Sequence, residues 1–392
     1  MTTRVLMEPG PTQVDPRVIQ AMCRPVVYHQ SREFIETVDV VCEQLQRIYQ
    51  TAGEIVVLPA TGRGGIEAAL GSVREPDQIL VIPTNGSFGR MMANIGRAVG
   101  LNVVELPFGP GEPILRADVE EALGRYDKPI LGIVHNETST GMVNDISGYG
   151  AAVHRRGGLF VVDTVSSLGG VPVQTDLQEI DLCVSASQKS IGALAGLSFV
   201  SVSPRATEQF DQRSSLHRGM YLDLRRWWEM WLPTSRGGKL TSGYRRLPWS
   251  MPTHLVFALQ VAAEVIFEEG LHARWSRHER AGVALRNALV ELGLKPVPAA
   301  GWESATVTAM YGGDDLDVND VRTALSERHG IGVAGGLDDL NGKIFRIGHM
   351  AETARFGPQV HVVSALAYEL EQRGIKTGTY PIEALITSWG EE

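Results

Sequence analysis

The stretch SASQK ends on Lys189, twenty-six residues beyond Asp163, and Asp163 closes the apolar run LFVVD. A buried amine and a buried carboxylate at the ends of neighbouring strands suit pyridoxal-phosphate chemistry. In that chemistry the lysine forms a Schiff base with the cofactor aldehyde, and the carboxylate keeps the pyridine nitrogen protonated so that the ring can accept electrons. Each residue alone has a plainer use, since a carboxylate after a strand commonly caps a helix and most lysines are solvated. Here the segment after Lys189, SIGALAGLS, is small and apolar. That setting desolvates the amine, lowers its pKa and favours Schiff-base formation.

Four further segments place polar or aromatic groups just after short apolar runs. The loop PATGRGGIEAAL (59–70) brings Thr61, Gly62, Arg63 and Gly64 to a helix start. Backbone N–H groups there, with a hydroxyl and glycines that allow close approach, make an anion cradle. No GK[ST] follows and the spacing is not GxGxxG, so the loop is either a phosphate site of another kind or an ordinary strand-to-helix turn. TNGSFG (84–89) sets Phe88 at a helix start, as core packing or as a ring stacked on a flat cofactor. HNETSTG (135–141) delivers the hydroxyls of Thr138, Ser139 and Thr140, for turn capping or for a cofactor oxygen. FRIGHM (345–350) holds Arg346 inside an apolar strand, where it needs an anionic partner. That partner is a structural carboxylate or a substrate carboxylate met by the guanidinium fork. His29 and His349 are too isolated for a metal site, so no metal is expected.

The elements that must position these groups alternate. Predicted strands cover 54–60, 78–84, 102–108, 129–136, 159–165, 182–187 and 197–203, with helical stretches between most of them. Such alternation predicts an α/β fold with a mostly parallel seven-stranded sheet buried on both faces, and ligands at the carboxyl ends of its strands. After a Trp- and Arg-rich stretch (217–250) the pattern changes to helix, strand, helix, strand, helix. Two domains are expected: a large one over 1–255, with residues 1–20 near the site, and a smaller α+β one over 256–392.

The chain has 392 residues, 43% of them hydrophobic and 21% charged, with net charge −9. An acidic balance argues against nucleic acid or an anionic membrane surface as partner. Three cysteines at unrelated spacings give no disulfide framework. No run of 18 apolar residues and no secretory h-region occurs, so a cytoplasmic protein is expected.

With HNETSTG, VVDTVSSLGG and SASQK in this order, the chain resembles the class V, fold-type I aminotransferases from EPGPT (8–12) to RIGHM (346–350). It is most similar to the alanine/serine–glyoxylate group, which includes pyridoxamine–pyruvate and ureidoglycine–glyoxylate aminotransferases. The resemblance implies that Lys189 binds pyridoxal 5'-phosphate covalently and shuttles the substrate proton, while Asp163 holds the ring nitrogen. It implies Val165 against one ring face, Phe88 on the other, and Thr138 on the phenolic oxygen. Thr61, Gly62, Arg63 and Gln188 would bind the phosphate, Arg346 the substrate carboxylate, and Gly10 and Tyr28 would lie beside the substrate. A homodimer with shared active sites is implied, in which the stretch 244–253 reaches the partner's phosphate. There this chain reads GYRRLPWSMPTH, with Ser250 where relatives carry Thr and Tyr244 near the place of their Tyr. It also has ALAG (193–196) where relatives tend to have APPG. Thr61 stands where the pyridoxamine–pyruvate enzyme has glutamate, which favours a retained cofactor over one used as substrate.

The expected reaction is ping-pong transamination of an alanine- or serine-like amino acid, with glyoxylate or pyruvate as acceptor. Alternatives on the same fold are a pyridoxamine–pyruvate, ureidoglycine–glyoxylate or aminophosphonate–pyruvate enzyme, and a lyase. A cysteine desulfurase would need a cysteine late in the chain, yet the last is Cys183. A regulator would carry an appended DNA-binding segment, and no helix-turn-helix pattern is present.

Overall fold

In the computed structural model, residues 5–212, 219–240, 245–313, 316–378 and 380–390 are described. The seven predicted strands form one sheet: β1 (Glu54–Leu58), β2 (Ile79–Thr84), β3 (Asn102–Pro107), β4 (Ile130–Val134), β5 (Leu159–Asp163), β6 (Leu182–Ala186) and β7 (Ser198–Val202). Their spatial order is β1-β7-β6-β5-β4-β2-β3. Within it β7 alone runs antiparallel to its neighbours β1 and β6, and the remaining pairs are parallel. The strands β4 to β7 are buried at every position. That burial explains why they read as continuous apolar runs rather than as alternating ones.

Chain order reverses where β2 lies between β3 and β4, the kind of switch at which open α/β sheets bind ligands. Helix α1 (Gly62–Val73) follows β1, and α2 (Ser87–Ala98) follows β2. Both pack closely on the sheet because of their glycines. A Cβ on Gly65 would lie 2.0 Å from Ser198 Oγ, and one on Gly96 2.4 Å from Leu80 Cδ2.

A second, four-stranded sheet has β8 (Lys295–Pro296), β9 (Val307–Tyr311), β10 (Ala334–Gly335) and β11 (Ile344–Gly348) in the order β8-β9-β11-β10. Its apolar residues, with those of the helices Val318–His329 and Phe356–Gln372 and the latter half of α3 (Leu271–Glu291), make a separate core around Leu285, Leu325 and Phe345. The helix Thr253–Glu269, which spans the expected boundary, still adds Val256, Leu259 and Ile266 to the first core. The N-terminal segment joins the second unit through Val5–Leu6, which pairs in parallel with Ile331–Gly332. It then crosses to the sheet, where Thr12 N–H donates to the Gln188 carbonyl. Among the described residues no helix is long and apolar enough to cross a membrane.

Candidate active site

Lys189 and Asp163 meet in one cavity of about 260 Å³ over the carboxyl ends of the parallel strands. It is lined by residues following β1 (Thr61, Gly62, Arg63), β2 (Phe88), β4 (Asn136, Thr138) and β6 (Gln188, Lys189). Asp163 is the last residue of β5, and Val165 and Ser166 follow it in the lining. Nine of the expected site residues therefore converge: Thr61, Gly62, Arg63, Phe88, Thr138, Asp163, Val165, Gln188 and Lys189.

Asp163 is buried, and its carboxylate accepts from the Val165 N–H at 2.8 Å. Burial pushes its pKa up to about 7; the Val165 N–H opposes this, Glu137 adds to it, and Lys189 opposes it. The Lys189 amine is brought down to about 8, first by desolvation, then by the nearby Arg346 cation, with Asp163 opposing. Its ammonium donates to the Pro9 carbonyl. The two groups thus sit within reach of neutral pH from opposite sides, in the manner of groups matched to proton transfer.

The anion cradle begins at Thr61, the N-cap of α1. Its backbone is extended and its hydroxyl makes no capping hydrogen bond. A Cβ on Gly62 would lie 2.7 Å from Val165 Cγ2, so only glycine fits there. Arg63 is exposed at the rim, and its Nε donates to Met91 Sδ at 3.2 Å. The Gln188 side chain has a buried Oε1 with no hydrogen-bond partner, an unused polar group at the cavity wall. The N–H groups at the α1 start, the Thr61 hydroxyl, the Arg63 guanidinium and the Gln188 amide N–H₂ can donate. With a carboxylate, an amine and the Phe88 ring they suit a flat, phosphorylated, aldehyde-bearing ring.

Arg346, in β11, is buried beside the cavity rather than in its lining. Its Nε donates to the Gly335 carbonyl at 2.6 Å, and its Nη1 to the Thr138 carbonyl at 3.3 Å. Among the described residues no carboxylate lies at ion-pair distance from it, so the structural pairing considered from the sequence has no partner. Gly10 lies against Lys189: a Cβ there would meet Lys189 Cδ at 2.4 Å. Tyr28 and Ser250 do not join the cavity within one chain. Tyr28 is 66% exposed with its ring edge-on to His29, and Ser250 is exposed beside Met220, Tyr221 and Trp249. Tyr244 lies outside the described residues.

Several lining or supporting groups carried no signal that the sequence reading used. Asn136 donates to Ser166 Oγ at 2.8 Å and to Thr306 Oγ1 at 3.0 Å, and Thr138 Oγ1 donates to Ser166 Oγ at 3.3 Å. Thr306, from the second unit, also donates to the Ser166 carbonyl. Arg274 of α3 fixes the lysine loop by donating to the carbonyls of Ser190 and Gly169. Glu137 lies fully buried within HNETSTG, and nothing in that polar run marks it as buried. Among the described residues no group of three or more His, Cys, Asp and Glu could hold a metal ion.

This architecture matches known proteins. The family model described as aminotransferase class-V matches residues 4–357. The alanine–glyoxylate aminotransferase of Callithrix jacchus is 32% identical over 352 residues, covering 89% of this chain and 83% of its own. The crystal structure of ureidoglycine–glyoxylate aminotransferase from Bacillus subtilis superposes with a TM-score of 0.92 at 28% identity, over 99% of this chain and 98% of that one. Pyridoxamine–pyruvate aminotransferase from Mesorhizobium loti superposes with a TM-score of 0.90 at 25% identity, over 98% and 96%.

Proposed function

This chain belongs to the class V aminotransferases, and on that premise we propose that it moves the amino group of a small, alanine- or serine-like amino acid to glyoxylate or pyruvate. Pyridoxal phosphate is the cofactor, held in the cavity around Lys189. The observation that carries the reading is the placement of the Lys189 amine and the Asp163 carboxylate in one cavity, at the ends of adjacent parallel strands. When bound, the cofactor supplies an aldehyde carbon for amines and an electron-withdrawing ring that makes the substrate Cα–H acidic.

The chain's own groups do the rest. Thr61, Gly62, Arg63 and Gln188 hold the phosphate, using the α1 N-terminus and the polar groups at the cavity wall. Phe88 and Val165 confine the ring from two sides. Asp163 would hold the ring nitrogen protonated, its carboxyl ionised beside that cation against the burial that otherwise raises its pKa to about 7. Thr138, whose hydroxyl donates to Ser166 Oγ in this structure, would turn it to the phenolic oxygen. With its pKa near 8, Lys189 gives and takes protons around neutral pH, which suits the transfer between substrate Cα and the cofactor carbon. Arg346 spends Nε and Nη1 on carbonyls and keeps Nη2 for the substrate carboxylate.

The Pro9–Gly10 segment lies against Lys189, and the similarity to alanine–glyoxylate aminotransferases supports a small amino donor. The unengaged Thr61 hydroxyl supports a retained cofactor. We place Tyr28 and Ser250 on a surface covered by a second copy of the chain, where Val26, Met220 and Tyr221 are also exposed. Ureidoglycine as donor is a second reading, supported by the similarity to the Bacillus subtilis structure over nearly the whole chain.

Spectral titration of the holoenzyme tests the proposal. Alanine or serine should discharge the visible band of the bound cofactor, and glyoxylate or pyruvate should restore it. Discharge by ureidoglycine alone would move the donor to the second reading. A protein without any such band would overturn both.

A further inference from the structure

Glu137 presents an unusual use of a carboxylate. It is fully buried, and among the described residues it forms no ion pair. Burying an unpaired carboxylate is costly unless its oxygens are satisfied. Here four groups donate to it: the N–H groups of Phe88, Gly89 and Ser139, and the Ser139 hydroxyl. The Ser139 hydroxyl in turn accepts from the Ser87 N–H at 2.8 Å. The first three N–H groups of α2 are therefore all satisfied from HNETSTG, where the helix dipole favours negative charge.

A helix of this kind is usually capped by the side chain just before it. That position is Gly86, which has no side chain and cannot carry one, because a Cβ there would lie 2.3 Å from Glu137 Cδ. The start of α2 is thus capped across the sheet, from the connection after β4. That connection also carries Thr138, which lines the cavity and whose carbonyl accepts from Arg346. Phe88, the second residue of α2, faces the same cavity.

We propose that Glu137 is a positioning residue that locks α2 to the HNETSTG connection and so holds the Phe88 ring against the bound cofactor. This rests on the reading of the cavity as a pyridoxal-phosphate site. Glu137 touches neither cofactor nor substrate; it acts through Phe88, with Thr138 and Arg346 fixed to the same connection.

The test is a double-mutant cycle on apoprotein titrated with pyridoxal phosphate, read by absorbance and by visible circular dichroism of the bound ring. Glu137→Gln keeps the shape but points an amide N–H₂ at backbone donors. It should weaken cofactor binding about three- to tenfold, the range of one aromatic stack, and alter the dichroism. Phe88→Ala should do the same, and the double variant should bind no more weakly than Phe88→Ala alone. Should Glu137→Gln not fold, Ser139→Ala removes the hydroxyl shared by Glu137 and Ser87 and is read in the same cycle, with a smaller shift. Additive losses, or unchanged binding by Glu137→Gln while Phe88→Ala weakens it, would overturn the inference alone. A wild-type apoprotein that binds no pyridoxal phosphate would overturn the cofactor reading and this inference with it.

Discussion

Gly10 and Lys189 share one space: a Cβ on Gly10 would lie 2.4 Å from Lys189 Cδ and 2.6 Å from its Nζ. The neighbouring Pro9 carbonyl accepts from the same ammonium. A segment near the N-terminus, 179 residues upstream of the lysine (189 − 10), therefore decides how much room the reactive amine has. Gly10 also has φ +109°, a conformation that side chains rarely adopt.

Gly10→Ala should accordingly displace Lys189. The expected outcome is a fall of at least about tenfold in kcat/KM, since small misplacements of reacting groups are costly. Cofactor content should drop while far-ultraviolet circular dichroism stays unchanged. Full activity in this variant would show that the lysine has more freedom than the packing indicates.

Asp163 gives a pH dependence of stability with a definite sign. Its folded-state pKa is raised to about 7 from 3.8, so the folded apoprotein binds the proton more tightly than the unfolded chain. This contribution is fully present below about pH 3.8 and is lost as pH rises through about 7. Asp163→Asn removes the penalty and keeps an oxygen for the Val165 N–H. The apo variant should then be more stable than apo wild type at pH 8, on the order of a few kcal/mol, with the gain vanishing near pH 4. Urea unfolding of the two apoproteins across that range checks it, and the variant should bind the cofactor more weakly.

Arg346 is held by two carbonyls, and burial brings its pKa down to about 10, with Glu137 opposing and Arg322 contributing. Arg346→Lys keeps a charge but loses the planar group that bonds both carbonyls while leaving Nη2 for the substrate. Steady-state kinetics should show KM rising for both amino donor and oxo acid, with kcat/KM lower by about ten- to a hundredfold, or about 1.4–2.8 kcal/mol. Cofactor affinity, read separately, should hardly change. Equal losses with substrates lacking a carboxylate would contradict the assignment.

The parts of the fold that were legible in the sequence are those whose burial leaves one pattern. β4, β5 and β6 are buried on both faces and read as apolar runs, and the chemical residues stand just past their ends. Lys189 and Asp163 were legible because a charged group beside an apolar run is expensive without a use. Glu137 was not, because besides the local Ser139 its donors are the Phe88 and Gly89 N–H groups of α2, some fifty residues away, and no local spacing encodes such a cap. The bracing of Ser166 by Thr306 crosses 140 residues between the two units and leaves no periodic trace. Arg346 was expected to need an anion, yet carbonyl oxygens of Gly335 and Thr138 receive two of its donors. Tyr28 and Ser250, implied by resemblance, stay outside the cavity that a single chain forms.

The central claim is that Lys189 is the amine that carries pyridoxal phosphate. Reduction of the holoenzyme with borohydride, followed by peptide mass mapping, tests it most directly. The account predicts one phosphopyridoxyl group per chain, on the peptide containing Lys189, and none in Lys189→Ala. A label on a different lysine, or an unlabelled protein that still transaminates, would contradict it.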